Sequence, residues 1–182
     1  MKRCHWVNLA NPLYVRYHDE EWGKAQHEDK KLYEMLILEC FQAGLSWECI
    51  LNKRENFRRA FSQFDIDKVL SFSRLDVERL AADAGIIRNR RKIEAAIANS
   101  HVFKSLQQEW GSFDRYIWHF THGETMDEPY SERTTSPLSD EVAKDLRRRG
   151  MKFVGSTTVY ALLQSIGIIN AHGKECDLCP HR

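Results

Sequence analysis

The chain has 182 residues, of which 42% are hydrophobic and 29% are charged, and this composition is typical of a globular protein with its own core. No apolar stretch reaches the roughly 18 residues of a membrane-spanning helix, and no export signal opens the chain, so we expect a cytoplasmic protein. Five cysteines, an odd number, argue against a disulfide framework, while a net charge of +1 leaves open whether one face binds a polyanion.

Apolar residues recur at helical spacing along almost the whole chain, which predicts an all-α fold. The first strong apolar stripe covers residues 29–41. Ser46 is expected to cap a helix that continues to about residue 61. Ser73, followed three residues later by Asp76, predicts a capping arrangement at the start of another helix.

Four further helices are predicted in the second half, one from about Asn89 and the others at 113–120, 139–149 and 156–169. Residues 121–137 are polar and rich in turn formers, and they are the best candidate for a mobile loop. No stretch alternates with the period of a strand, and no internal repeat is present. The predicted class is therefore all-α.

Cysteine and histidine pairs lie near both ends of the chain, Cys4 with His18 and His172 with Cys176. Thiolate and imidazole are ligands that tetrahedral zinc prefers, and a set of two of each is typical of closed structural sites. If all four bind one ion, the chain ends are held together. Chance pairing among eight histidines and five cysteines stays an alternative. Three further residues offer the same chemistry: His5, Cys179 and His181.

Glu39 lies in the most apolar predicted helix. A buried carboxylate is costly unless it is paired, and burial raises its pKa, so such a residue is a candidate for function. The alternative is that Glu39 turns to solvent and pairs with Lys30 or Lys31.

Gly44 is predicted to break that helix and to place Leu45 and Trp47 on a short turn. An exposed leucine on a rigid turn can act as a wedge between bases, and a tryptophan beside it can stack on a base. The alternative is that both side chains belong to the core.

The segment 11–23 places Tyr14 and Tyr17 beside His18, with Asp19 as a candidate to orient the imidazole if His18 binds metal. Aromatic rings with a polar edge suit a pocket for a flat heteroaromatic ligand, although ordinary core packing is an alternative.

The segment 78–93 predicts a helix, a tight turn and the basic start of a second helix. The first helix is expected to stop at Gly85 in the left-handed conformation. Free amides and the positive helix end attract phosphate, and Arg88, Arg90 and Lys92 add charge. This pattern favours a DNA-backbone contact, with a plain helix–helix turn as the alternative. A second glycine-containing junction at 149–157 is expected to touch another phosphate or to line the pocket.

Taken together, these motifs resemble the bacterial 3-methyladenine DNA glycosylase I family over nearly the whole chain. The matching stretches are Arg3-Cys4-x-Trp6, Tyr17-His18-Asp19-x-Glu21-Trp22-Gly23, Leu38-Glu39, Gln42-Ala43-Gly44-Leu45-Ser46-Trp47, Lys53-Arg54-Glu55, Gly85-Ile86-Ile87-Arg88, Lys152-Phe153-Val154-Gly155 and the pair His172/Cys176.

The resemblance implies an all-α, helix-hairpin-helix DNA glycosylase-like fold with a structural zinc site that joins the N- and C-terminal segments. It implies one ion, held by Cys4, His18, His172 and Cys176. The whole chain is expected to form one glycosylase unit. An alternative is two lobes, with a central lobe of about 25–150 that carries the hairpin at 74–98, and the termini 1–24 and 151–182 packed around zinc.

The implied activity is excision of N3-methyladenine from alkylated double-stranded DNA by base flipping, which leaves an abasic site without strand cleavage. By motif match, Glu39 would hydrogen-bond the base as the catalytic residue and Trp47 would stack on it. Trp6, Tyr14 and Tyr17 would line the pocket, while Gly44 and Leu45 would fill the gap in the duplex. The family that this chain resembles lacks the catalytic aspartate that is usual in helix-hairpin-helix glycosylases.

The expected partner is alkylated DNA, with no membrane and no nucleotide cofactor, and the expected state is a monomer. Two rival functions stay open. The first is a zinc-containing DNA-binding protein without chemistry. The second is a zinc hydrolase, against which four protein ligands argue because catalytic zinc keeps an open position.

Overall fold

The computed structural model describes residues 1–128 and 133–180, and this part of the chain is mainly helical. Its helices are α1 (Pro12–Glu20), α2 (Asp29–Gln42), α3 (Trp47–Asn52), α4 (Arg54–Ala60), α5 (Ile66–Leu70), α6 (Arg74–Ala82), α7 (Arg90–Trp110), α8 (Phe113–Trp118), α9 (Pro137–Arg148) and α10 (Ser156–Ser165). Single 3₁₀ turns follow α4 at Ser62–Phe64 and α8 at His119–Thr121.

Local capping signals place helix starts correctly. The Ser46 hydroxyl accepts a hydrogen bond from the Cys49 amide at 3.2 Å, and Ser73 and Asp76 form a reciprocal capping box, so both predicted caps are confirmed. The helix predicted from Ser46 to about residue 61 is instead two helices. Lys53, at φ −100° and ψ 0°, lies between α3 and α4 and turns the chain there.

The predicted helix stop at Gly85 is wrong. α6 ends at Ala82, and Gly85 is not among the glycines with positive φ. Its amide donates to Asp83 Oδ1 at 2.7 Å, and a Cβ added there would lie 2.9 Å from that oxygen and 3.1 Å from the Asn56 amide nitrogen. A larger residue here would have to displace the Asp83 and Asn56 side chains that hold the turn, and a left-handed backbone plays no part.

Two short strands qualify the all-α prediction. β1 (Met126–Asp127) pairs in parallel with β2 (Ile169–Asn170), with Met126 opposite Ile169. Two-residue strands contain no alternation that periodicity could detect. β1 lies within the stretch 121–137, of which residues 129–132 lie outside the described part, and mobility of that loop stays a prediction.

α2 is the central helix of the core. Ten consecutive residues from Leu32 to Phe41 are buried, and α2 contacts α3, α7, α8 and α10. The buried apolar residues form one cluster that extends from Cys4 to Cys176. The described residues therefore pack around a single core, and the division into two lobes stays a prediction. No helix in the described part of the chain is long and apolar enough to cross a membrane.

The two chain ends pack against each other. The Lys2 amide donates to Asp177 Oδ2 at 2.8 Å, and the Asp177 amide donates to the Lys2 carbonyl at 3.0 Å. At Gly167, φ is +74°, and an added Cβ would lie 2.1 Å from the Lys24 carbonyl carbon, so only glycine fits this crossing. The segment before α2 is thereby fixed against the segment after α10.

Candidate active site

One cavity of about 310 Å³ brings together the five predicted pocket residues. They are Trp6, Tyr14, Tyr17, Glu39 and Trp47. The two tyrosines lie three positions apart and therefore on one face of α1. α2 supplies the acid, and the capped first residue of α3 supplies the indole of Trp47.

Aromatic contacts fix the cavity wall. The ring centroids of Tyr17 and Trp47 lie 5.1 Å apart with a 46° angle between the planes. Trp6 contacts Tyr14 at 5.5 Å and Trp22 at 4.8 Å, in tilted and edge-on geometries that aromatic quadrupoles favour. The indole Nε1 of Trp47 is buried and has no hydrogen-bond partner in the described residues, so one donor is free for a ligand.

Glu39 is buried, with 2% of its surface exposed. Burial raises the pKa of its carboxyl to about 8, and an interaction with the Ser165 side chain offsets part of that increase. Its Oε2 atom has no hydrogen-bond partner within the described ranges. The alternative in which Glu39 faces solvent and pairs with Lys30 or Lys31 is therefore wrong.

A second buried acid on α2 shows what a structural carboxylate looks like in this protein. Glu34 lies 2.5 Å from the guanidinium of Arg54 and 2.8 Å from that of Arg58. Such compensation is the rule for buried charges. Within residues 1–128 and 133–180, Glu39 has no cation at a comparable distance, and it lines a cavity, which is typical of a ligand-binding acid.

The turn of residues 42–46, hereafter the Leu45 turn, connects the cavity to the surface. Gly44 has φ +78°, and the Leu45 side chain is 38% exposed. The Leu45 amide donates to the Gln42 carbonyl at 2.7 Å, and the Gln42 side chain donates to the Leu45 carbonyl at 3.1 Å. Gln42 also lines the cavity, so the exposed leucine is held rigidly beside it.

The turn between α6 and α7 exposes two of the predicted basic residues. Arg88 is exposed, and Arg90, 46% exposed, pairs with Glu78 at 2.5 Å. The Gly85 carbonyl accepts from the Asn56 amide group at 3.0 Å, which ties this turn to α4. The start of α7 therefore presents cationic side chains on a braced turn.

Lys92 does not join that basic surface, which corrects the prediction that it contacts the DNA backbone. It is 7% exposed, and its ammonium donates to the carbonyls of Phe41 at 2.8 Å and Ala43 at 2.5 Å. These carbonyls lie at the C-terminal end of α2, where the helix leaves acceptors unsatisfied and a cation is favourable. Burial lowers the pKa of Lys92.

Three of the predicted metal ligands meet in the core. One potential ligand atom each of Cys4, His18 and Cys176 lies within 4.8 Å of the others, and all three residues are buried. His18 Nε2 lies 3.6 Å from the Cys176 sulfur. His18 Nδ1 lies 2.8 Å from Asp19 Oδ1, which confirms the expected contact that orients the imidazole.

His172 lies next to this group. Its ring centroid is 5.1 Å from that of His18, and its Nδ1 bonds to Asn170 Oδ1 at 2.7 Å. Its Nε2 is buried without a partner among residues 1–128 and 133–180. Burial lowers the pKa of His172 to about 4, so the ring is neutral and Nε2 carries a free lone pair when Nδ1 is the donor.

The alternative ligands do not enter the group. His5 is exposed, and Cys179 is half-buried outside the three-residue cluster that contains Cys176. His181 lies outside the described residues.

Comparison with known proteins decides the family. A family model described as methyladenine glycosylase matches residues 6–180. DNA-3-methyladenine glycosylase 1 of Escherichia coli (strain K12) is 45% identical over 184 residues, which covers 99% of this chain and 98% of that protein. This chain belongs to the methyladenine glycosylase family.

Solved structures share the architecture of this family member. A crystal structure of 3-methyladenine DNA glycosylase I has a TM-score of 0.94 at 42% identity, covering 98% of this chain and 100% of that one. A structure that addresses 3-methyladenine recognition by the Staphylococcus aureus enzyme has a TM-score of 0.93 at 33% identity, covering 99% and 97%.

In this methyladenine glycosylase, sequence reasoning missed one wall of the pocket. α10 contributes Thr157, Tyr160, Ala161 and Gln164. Their spacing of three, one and three residues marks one face of the helix, but Ser156, Thr158 and Ser165 are polar as well, so polarity along α10 does not single that face out. The junction at 149–157 thus lines the pocket through Thr157. The other missed lining residues are Trp22, Gln42, Arg133 and Thr134.

Proposed function

We propose that this chain is a DNA base-excision repair enzyme, which hydrolyses the N-glycosidic bond of N3-methyladenine in alkylated double-stranded DNA. It leaves an abasic site without strand cleavage. One observation carries the proposal: Glu39 is buried in an aromatic cavity and has no ion-pair partner among the residues that the structure describes. The relatives named for 3-methyladenine support the identity of the ligand.

The positive charge of the methylated base allows the cavity to discriminate it from adenine. Methylation at N3 makes the purine of the nucleoside cationic, whereas adenine is neutral. A cation in the cavity favours the ionised form of Glu39 and lowers its pKa, so the base and the carboxylate stabilise each other. The faces of Trp47 and Tyr17 add cation–π attraction. Neutral adenine gives no such compensation and is excluded.

The same charge makes bond cleavage easy. The C1′–N9 bond breaks with its electron pair moving to N9, and the base leaves as neutral 3-methyladenine. Water adds to C1′ and loses a proton to solvent. Glu39 accepts a hydrogen bond from the exocyclic amine or the ring of the base, and where its carboxylate is near enough to the sugar its negative charge stabilises the positive charge that develops there. Since the leaving group needs no protonation, no catalytic aspartate is required.

Exposed elements around the cavity suit DNA. Leu45, on its rigid turn, would enter the gap left by the flipped nucleotide, with Gly44 allowing the backbone to approach closely. The α6–α7 turn would act as a helix-hairpin-helix grip on phosphate, through the free amides of α7 and the side chains of Arg88 and Arg90. Such contacts fix the position of DNA without reading its sequence.

We further propose that Cys4, His18, His172 and Cys176 hold one structural zinc ion. The donor set fits the metal, because three donors lie within 4.8 Å and the unpartnered Nε2 of His172 supplies the fourth. The ion would join the two chain ends. Four protein ligands leave no open position for substrate, which disfavours the zinc hydrolase.

An assay on methylated duplex DNA tests the function. The expected result is release of free 3-methyladenine, together with abasic sites that break only on alkaline treatment. Binding to methylated DNA without release of base would instead favour the non-catalytic DNA-binding protein. Loss of turnover on zinc removal from a still-folded protein would favour the hydrolase. Monomeric state and cytoplasmic location stay predictions.

A further inference from the structure

Two surface turns share one buried ammonium group. The Lys92 ammonium donates a hydrogen bond to the carbonyl of Ala43, which belongs to the Leu45 turn, at 2.5 Å. The same Nζ lies 6.0 Å from the ring centroid of Phe153, at the outer limit of a cation–π contact. The segment 150–155, hereafter the Phe153 turn, is therefore a close neighbour of the Leu45 turn.

Phe153 has a backbone conformation that bulky residues avoid. Its φ is +57°, in the left-handed region, where glycine or asparagine is the ordinary choice. Such conformations persist where the surroundings hold them, and they cluster at functional sites. Here a fully buried Asn99 holds the preceding residue, because its Oδ1 accepts from the Lys152 amide at 2.8 Å and its Nδ2 donates to the Lys152 carbonyl at 2.9 Å.

The ring of Phe153 is only half-buried. Phe64 also has a positive φ but is 1% exposed, as a ring kept for core packing should be, so the incomplete burial of Phe153 sets it apart. The Phe153 turn leads directly into α10, whose residue Thr157 lines the cavity. Phe153 thus lies on a segment that leads from the neighbourhood of the Leu45 turn to a helix that lines the cavity.

We propose that Phe153 is a second apolar DNA contact, which stacks on a base next to the flipped nucleotide while Leu45 enters the gap. Lys92 is a positioning residue that holds the two turns at a fixed separation. The inference rests on the proposed function, because a gap exists only if the protein extrudes a nucleotide. Phe153 would thus offer a surface for base stacking beside the wedge formed by Leu45, on a separate segment of the chain.

The test compares the affinity of duplex DNA that carries a tetrahydrofuran abasic analogue with that of the intact duplex, by fluorescence anisotropy. Phe153→Gly removes the ring and keeps a residue that favours the positive φ; Phe153→Asn is the second ring-free variant. Phe72→Ala is the control. Phe72 is also a half-buried phenylalanine next to a cation, because the Arg79 guanidinium lies 5.4 Å from its ring centroid. It precedes α6, at the end of that helix opposite to the α6–α7 turn.

We expect both ring-free variants to lose about tenfold in affinity for the abasic duplex, the size of one base–aromatic stack, and less than about twofold for intact DNA. In these variants, a 2-aminopurine placed next to the abasic site should lose the fluorescence change that it shows when the parent protein binds. The control variant and the binding of free 3-methyladenine should match the parent protein.

Equal affinities of the ring-free variants and the parent protein for the abasic duplex would overturn the inference. An equally large loss of free-base binding would do the same, because the residue would then act through the pocket. If the parent protein itself does not prefer abasic DNA, the inference and the proposed flipping mechanism both fail. Release of 3-methyladenine by the parent, measured separately, distinguishes a failure of this inference from a failure of the proposed function.

Discussion

Glu34 and Glu39 lie five residues apart on α2, and both are buried, yet only Glu34 has guanidinium partners. The composition around them is equally apolar, so sequence alone identifies Glu39 only through the motif that it shares with the family. Partners that decide the role of a buried acid come from α4, twenty or more residues away. The burial of Glu39 could be expected, whereas its lack of compensation required the structure.

The raised pKa of Glu39 predicts a pH-dependent cost to folding. In the unfolded chain the carboxyl ionises near its ordinary pKa of 4.5, whereas in the fold it stays protonated up to about pH 8. The native state therefore binds more protons in this window, and its stability falls as pH rises from about 5 to 8, by up to about 1.4 kcal/mol per pH unit.

Glu39→Gln should remove that cost. We expect the melting temperatures of the variant and the parent to be similar at pH 5, with the variant several degrees higher at pH 8 and above. Glu34→Gln is the matched control and should lower the melting temperature throughout, because it weakens a buried ion-pair network. A constant difference between Glu39→Gln and the parent from pH 5 to 9 would contradict the assigned pKa direction.

The catalytic role of Glu39 predicts a separation of activity from affinity. Glu39→Gln keeps the volume and loses the negative charge, so release of 3-methyladenine should slow by about 100-fold, the usual effect of removing one electrostatic contact to a transition state. Affinity for abasic duplex DNA should stay within about threefold. Single-turnover base release and anisotropy measure the two quantities, and equal losses in both would reject the role.

At the scale of elements, helix caps could be predicted from neighbouring residues, whereas contacts between residues distant in sequence could not. Ser46 and the Ser73–Asp76 pair cap helices as their neighbours in sequence indicate. Lys92 has the same local context as the exposed arginines of α7, yet its ammonium turns inward to the end of α2. That choice depends on the orphaned carbonyls of another helix, which no pattern along α7 contains.

Two exposed arginines allow a test of whether the α6–α7 turn binds the DNA phosphates. Arg88 lies on the turn, and Arg74 is at the opposite end of α6 with its side chain 92% exposed. If the turn grips phosphate, Arg88→Ala should weaken binding to all duplexes alike and reduce the slope of log affinity against log salt by about one. Arg74→Ala should leave the slope unchanged, and equal effects of the two variants would indicate diffuse attraction only.

At the scale of the whole molecule, the pocket is a junction of four segments that are remote in sequence. Trp6 with the α1 tyrosines, Glu39 with Trp47, Arg133 with Thr134, and the Thr157–Gln164 face of α10 meet at one cavity. The motifs predicted five of the thirteen lining residues, whereas the contribution of α10 depends on its packing against α2, which the sequence of α10 does not indicate. The fit of N-terminal to C-terminal segments therefore decides whether the pocket exists, and the Cys/His cluster lies where these segments meet.

The proposed zinc ion should therefore act through stability. Closing a loop of most of the chain contributes about 5 kcal/mol on the loop-entropy scale, which corresponds to a melting temperature about 15 °C lower after chelation. The purified protein should contain one zinc per chain by atomic absorption. Cys176→Ser should lose the metal and the same stability, while Cys179→Ser, outside the cluster, should keep both. Below the lowered melting temperature, metal-free protein should still release 3-methyladenine at nearly the parent rate, because no reacting atom contacts the ion; a folded but inactive metal-free protein would place the metal in the chemistry.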